Sequence, residues 1–320
     1  MIISASRRTD IPAFYSDWFM NRISAGYCAV PNPFNRNQVS YISLLPDEVE
    51  AIVFWTRNPA PRLLHLQELD DQGFHYYFQF TLVNNPKKID PHSPALDKAV
   101  EVFQQLAERI GPARVIWRYD PIFLSNITPF SYHIDKYSHI AKKLQGYAKR
   151  SVISFVDDYR KASKRIRDLG QYKIEVQPSE RLVVADVKDF VLDLVNEATA
   201  NGIELQSCAE NLDLAELDVL PGKCIDDDLV RTLFKYNTSP KKDPSQRKEC
   251  RCAISRDIGM YDSCLFGCSY CYATQSFELA RKNHSEHKPD SPSLVGWYDT
   301  EPPAHKAKKK KLYYTQGNLF

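Results

Sequence analysis

Cys264, Cys268 and Cys271 are the residues of this sequence best equipped for chemistry. They stand in the run Cys-Leu-Phe-Gly-Cys-Ser-Tyr-Cys-Tyr-Ala over 264–273, a Cys-x3-Cys-x2-Cys spacing with an aromatic residue just before the last cysteine. Three thiolates on one tight loop can hold three corners of a [4Fe–4S] cube and leave the fourth iron open. A zinc site normally wants a fourth protein ligand and pairs spaced Cys-x2-4-Cys. Two zinc ligands plus one buried thiol is therefore the competing reading, and the spacing favours iron–sulfur.

Of the eight cysteines, four others fall in the last third or just before it: Cys208, Cys224, Cys250 and Cys252. Four is a complete ligand set for either an auxiliary cluster or zinc, although Cys250-x-Cys252 is tighter than the usual pair. The alternative is buried thiols acting as small core residues. Cys28 stands apart and reads as structural. The start of the chain reaches charge at Arg7, too soon for the apolar stretch of a signal peptide. No apolar run approaches the ~18 residues that span a bilayer. A cytoplasmic protein with no membrane partner is expected, and its thiols should be metal ligands or free rather than disulfides.

Hydrophobic residues at 43% and charged residues at 26% suit a soluble globular chain. A net charge of +2 offers no whole-molecule field for a nucleic-acid duplex. Short β-branched and aromatic runs predict strands at 2–6, 51–56, 76–83, 114–119, 151–156 and 203–207. Helical periodicity lies between them. It is clearest at 94–110, with Ser93 as N-cap, Pro94 as first helical residue and Gly111 after the end. It recurs at 182–200, and more briefly at 13–24, 61–69, 130–144 and 158–169. Six strands alternating with helices predict an α/β fold, best fitted by a six-stranded partial (β/α) barrel, TIM-barrel-like, with a doubly wound open sheet as the alternative. The expected organisation is a barrel over 1–220, a cysteine-rich segment packed on it over 221–283, and a polar, basic tail over 284–320. Residues 237–248 read as a linker or surface loop and 272–283 as a short helix. The tail's Lys306, Lys308, Lys309, Lys310 and Lys311 read as a solvated run before a nucleic-acid contact. His284 and His287 read as exposed rather than metal-bound.

The cysteine triplet with its aromatic residue resembles the signature of radical S-adenosylmethionine (SAM) enzymes, and Gly-Cys-Ser-Tyr-Cys-Tyr-Ala is similar to the spore photoproduct lyase branch of that superfamily. Most of the chain also resembles an uncharacterised bacterial family, a domain of unknown function. The stretches that carry this are Ser-Ala-Ser-Arg-Arg-Thr-Asp-Ile-Pro (4–12), Phe-Trp-Thr-Arg-Asn-Pro (54–59), Trp-Arg-Tyr-Asp-Pro-Ile (117–122) and the cysteine run. The radical SAM resemblance implies a [4Fe–4S] cluster that cleaves SAM to methionine and a 5′-deoxyadenosyl radical, which takes hydrogen from a substrate. It also implies an electron donor such as flavodoxin or ferredoxin. The lyase likeness makes a nucleotide or nucleic acid the substrate class to consider. In such enzymes the cysteine loop usually follows the first strand, whereas here it comes last, so the N- and C-terminal segments are expected to meet in space. No two glycines are adjacent, so the Gly-Gly-Glu-type segment that often binds SAM has no counterpart.

Sites in β/α barrels lie at the C-terminal ends of the strands. The polar clusters expected there are Arg7, Arg8, Thr9 and Asp10; Thr56, Arg57 and Asn58; Arg118 and Asp120; and Gln206, Cys208 and Glu210. Arg118, Asp120 and Asp10 are the catalytic candidates. Thr56, Asn58, Gln206 and Tyr270 are the cofactor-binding candidates. For Asp10, two residues before Pro12, capping of the next helix is the competing role. A zinc-stabilised nucleic-acid-binding or scaffold protein is the alternative to an enzyme.

Overall fold

A computed structural model describes residues 1–236, 238–298, 300 and 301. The strands are Ile2–Ala5 (β1), Tyr27–Asn32 (β2), Asn35–Ser43 (β3), Ala51–Thr56 (β4), Tyr76–Thr81 (β5), Val115–Ile122 (β6), Arg150–Phe155 (β7), Glu204–Ser207 (β8), Leu220–Pro221 (β9) and Ser255–Asp257 (β10). The helices are Ile11–Phe14 (α1), Ser16–Ala25 (α2), Ala60–Leu63 (α3), Leu66–Asp71 (α4), Leu96–Ile110 (α5), Phe130–Leu144 (α6), Ser163–Asp168 (α7), Val184–Ala200 (α8), Asp227–Phe234 (α9) and Phe277–Ser285 (α10). All but β2 and β3 form one parallel sheet of eight strands, ordered β10-β1-β4-β5-β6-β7-β8-β9. From β1 to β9 the strands follow chain order, without the mid-sheet reversal that a doubly wound sheet requires. The sheet has eight strands where six were expected, and its edges are β10 and β9.

Side chains alternate strictly between two cores, as a pleated strand demands. Ile3, Ile52, Phe54, Tyr76, Phe78, Phe80, Val115, Trp117 and Ile153 face the helices. There Trp117 stacks on Tyr137 of α6 and Phe130 packs on Phe190 of α8. Ile2, Ala51, Val53, Tyr77, Ile116 and Val152 face the other way, into a second core filled by Cys224, Ile225, Val230, Cys250, Cys252 and Ala253. The two-sided burial explains why the strands read as near-continuous apolar runs. The segment after β9 therefore covers the inner face: Tyr77 Oη and Gln79 Nε2 donate to the Cys224 carbonyl at 2.7 and 2.9 Å, and Arg150 pairs with Asp226 at 2.7 Å.

The expected N-cap of α5 is displaced. The helix starts at Leu96 after Ala95, and Ser93 accepts from Arg57 at 2.8 Å instead. The single helix expected at 13–24 is two, broken at Tyr15. The β2–β3 hairpin escapes the strand criteria because Asn35, Arg36, Asn37 and Gln38 are all exposed, leaving no apolar alternation to see. Cys28 on β2 is fully buried in the helix-side core. Residues 284–298 are not a free tail: Trp18 Nε1 donates to Ser291 O, Arg22 to Asp290 O and Asn21 to Pro289 O, each at 2.9 Å. His284 and His287 pack against Tyr15. The lysine run at 306–311 lies outside the described residues. No helix among those described is long and apolar enough to cross a membrane.

Arg62 is fully buried behind β4, its guanidinium over Phe19 and Phe54, with one hydrogen bond to Ser16 O at 2.9 Å. Its Nε and Nη1 have no partner, and burial lowers its pKa to about 9. Replacing a buried, under-satisfied cation by an apolar side chain of similar length is neutral or stabilising in many proteins. Arg62→Met is expected to match or exceed the wild-type denaturant midpoint. Arg62→Ala, which leaves a cavity, should fall about 2–4 kcal/mol below it. A Met variant as unstable as the Ala variant would show that the charge itself is required.

Candidate functional site

The C-terminal ends of β1, β4, β5, β6, β7 and β8 open into one cavity of about 720 Å³. Both cysteine groups line it, as do Arg7, Asp10, Trp55, Arg57, Arg118 and Asp120. That volume is in the range of small-molecule sites. Late and early segments do meet here. β10 pairs with β1, Tyr272 Oη donates to Arg7 O at 2.7 Å, and Tyr15 Oη donates to Ser263 O at 2.6 Å. The Ser-Ala-Ser-Arg-Arg stretch accounts for the join. Asp257 at the end of β10 accepts from Ser4 Oγ, Ser6 Oγ, Arg7 N and Gly259 N between 2.6 and 3.0 Å. Gly259 must lack a side chain, since a Cβ would sit 2.0 Å from Ser6 Oγ.

The cysteine loop is gripped from several directions. Ser269 N donates to Ile89 O at 3.0 Å and Cys271 N to Cys268 O at 3.1 Å. Arg165 of α7 donates to the carbonyls of Ser269, Cys271 and Gln275. Gly267 has φ +71°, the left-handed conformation that turns the loop between Cys264 and Cys268. Phe266, Cys268 and Tyr270 pack with Ile89, Phe123, Leu169 and Ile174. Burial pushes Cys264 up to about 12 and Cys268 well above the ordinary thiol range, while Arg57 opposes both shifts. The thiols must therefore release protons on binding a metal.

Beside the loop is a charged network that the sequence reading named only in part. Tyr270 Oη donates to Asp90 Oδ2 at 2.8 Å and accepts from Arg57. Arg57 also pairs with Asp90 at 3.3 Å. Asp90 is buried, and its Oδ1 has no partner. Asp10 has a structural role: its oxygens accept from Ala13 N, capping α1, at 2.9 Å and from Arg57 N at 2.6 Å. Burial raises Asp10 to about 7 against these donors and Thr56. Thr56 Oγ1 also accepts from Asn58 N, and Asn58 Oδ1 accepts from Ala60 N at the start of α3. Thr56 and Tyr270 line the cavity; Asn58 and Gln206 do not, and Gln206 bonds Glu204 on its own strand at 2.6 Å. Glu210 accepts from Phe155 N at 2.8 Å, and burial raises it to about 8.

The other four cysteines converge at the same cavity. Cys208 and Cys224 Sγ are 3.0 Å apart, Cys224 reaches Cys252, and Cys252 reaches Cys250. All eight cysteines are free thiols. Arg118 Nη1 donates to Cys224 Sγ at 2.7 Å and to Gln79 at 3.3 Å, and its Nε donates to Asp120 Oδ2 at 2.8 Å. Ser154 Oγ donates to the other Asp120 oxygen. Arg118 and Asp120 share one strand face, as their spacing of two requires, and form an ion pair beside the thiols at the cavity wall.

Residues 2–273 match a family described as Domain of unknown function (DUF1848). The chain belongs to that family. No curated protein and no solved structure matches it. The DUF1848 match ends at Ala273, two residues past the last cysteine, so it takes in every strand and all eight cysteines. Arg57, inside Phe-Trp-Thr-Arg-Asn-Pro, is among the polar residues expected at the strand ends, though without an assigned role. Asp90 lies in the loop between β5 and α5, and nothing in its sequence context marks it.

Proposed function

We propose that this DUF1848 chain is an iron–sulfur enzyme of the radical SAM type, built on a partial (β/α) barrel. The observation that carries the reading is the placement of Cys264, Cys268 and Cys271. They lie on one braced loop, at the wall of a large cavity where parallel strands end. The donor set fits: three thiolates, no fourth protein ligand supplied by the loop, and open space beside them. When bound, a reduced [4Fe–4S] cluster supplies the single electron that cleaves SAM. The chain's own part is to orient and to exclude water. Arg57 puts a positive charge near Cys264 and Cys268, which offsets thiolate charge. Asp90 and Tyr270 fix that guanidinium. Around the mouth, Arg8 and Lys161 lie against the ring of Tyr261, and Tyr159 lies against Tyr272. Cations beside aromatic faces support a planar substrate with anionic groups, the nucleotide class.

Anaerobic reconstitution of the wild-type chain with iron and sulfide is the test. The expected product is brown, absorbs broadly near ~400 nm, and with a strong reductant converts SAM to methionine and 5′-deoxyadenosine. A colourless, zinc-loaded protein that leaves SAM intact would overturn the reading.

A further inference from the structure

The second group of cysteines has no role in that reading, and its chemistry is unusual on its own terms. Cys208 ends β8, Cys224 follows β9, and Cys250 and Cys252 precede β10, so three separate segments deliver four sulfurs to one place. Cys224, Cys250 and Cys252 pack in the second core, yet two guanidinium groups also face the sulfurs. Arg118 touches Cys224 and Cys208, with its own charge balanced by Asp120. Arg7 is largely buried over Trp55, donates to Ser255 Oγ at 3.1 Å, and keeps a buried Nε without a partner. The anionic groups acting on the Arg7 guanidinium are Cys252, Asp257 and Cys224. Ile225 N also points at Cys252 Sγ, at 3.4 Å. Four thiolates on a divalent centre carry a net charge of minus two, which the two guanidinium groups and this N–H beside the sulfurs would offset.

We propose that Cys208, Cys224, Cys250 and Cys252 hold a second metal centre, a closed tetrathiolate site facing the same cavity as the loop triplet. Each ligating thiol gives its proton to solvent; zinc loads without electron transfer, and a cube at the 2+ level assembles from ferrous and ferric iron in equal amounts with sulfide, so that its electrons balance. All four positions are filled by protein, so the centre binds no substrate directly. Zinc and an iron–sulfur cube share this ligand chemistry. The acidic trio Asp226, Asp227 and Asp228, whose ligand atoms lie within 4.8 Å of one another, is already matched by Arg150, Lys223 and Arg231.

The proposal does not rest on the radical SAM reading, and its test removes the loop site first. The Cys264→Ala/Cys268→Ala/Cys271→Ala variant would be purified without a tag and offered, in separate samples, equal amounts of ferrous and ferric iron with sulfide, or zinc alone. After desalting, metal and acid-labile sulfide are counted per chain. About four irons with four sulfides, or about one zinc, should remain, and adding Cys224→Ala and Cys252→Ala should abolish it. A folded but metal-free triple variant whose four thiols all react with an alkylating agent, or which forms a Cys208–Cys224 disulfide, would overturn the proposal. If the triple variant does not fold, Cys224→Ala/Cys252→Ala in the otherwise wild-type chain decides. Metal content falling by one site's worth is expected, and unchanged content defeats the idea.

Discussion

Replacing any one of Cys264, Cys268 and Cys271 with Ala is expected to remove nearly all cluster iron from the loop and all SAM cleavage. A three-ligand site has no redundancy. With one thiolate gone, two irons of a cube are left without protein ligands, and the open face of the cavity gives solvent access to both. The thiols are also partly or fully buried within packing by Phe266, Tyr270 and Phe123, so each truncation loosens the wall that shields the site. Cys28→Ala is the control, since Cys28 lies in the helix-side core away from the cavity and should leave iron content unchanged. The readouts are iron per chain, absorbance near ~400 nm and 5′-deoxyadenosine formed. Retention of SAM cleavage by the triple Ala variant would remove the loop from the mechanism altogether.

Asp120→Ala should be the most damaging single change to stability among the polar residues of the cavity. It leaves the Arg118 guanidinium buried and unpaired against Cys224, Gln79 and Trp55. Breaking a buried pair by removing one partner costs about 3–5 kcal/mol, or roughly 4–8 °C in Tm for a chain of this size. The double variant Arg118→Met/Asp120→Leu removes both charges and should recover most of the loss, giving a coupling energy of opposite sign to the single penalties. A single variant melting within about 1 °C of wild type, or a double variant no better than the single, would place the pair outside the fold's energetics. From sequence alone these residues are expected to affect turnover while sparing the melting temperature. Strand parity shows that they face inward together. It does not show that the segment after β9 closes over them.

That difference defines what was legible in the chain. The six strands from β1 to β8 that run through the sheet are readable because Val, Ile, Phe and Tyr cluster in them and helices separate them. Phe130–Leu144 is recovered with both ends correct, since its apolar stripe is continuous. The cysteine loop is legible from motif spacing, and the meeting of early and late segments is what the resemblance to radical SAM enzymes implies. By contrast β10 is Ser-Arg-Asp, three polar residues whose strand character comes only from the backbone bonds that β1 offers. β9 is two residues long. Helix α9 opens on Asp226, whose side chain caps Leu229 N at 3.0 Å, within a stretch that reads as irregular and charged. Among the cofactor-binding candidates, Thr56 and Tyr270 reach the cavity because their neighbours turn them there. Gln206 alternates correctly but stops short of it, occupied by Glu204. Such outcomes depend on contacts made by residues more than a hundred positions away, which local pattern does not encode.

The pairing of β10 with β1 sets a timetable for biosynthesis. Ile2 leaves the ribosome long before Ser255, its partner across the ladder. At ~5–20 residues per second the first strand waits roughly 10–50 s for its outer neighbour. Throughout that interval the arginines of the cavity exist while the loop thiols do not. On the reading proposed above, metal delivery would be confined to a nearly finished polypeptide, and a chain cut short before residue 255 would expose β1 as a bare, apolar edge open to association with other nascent chains.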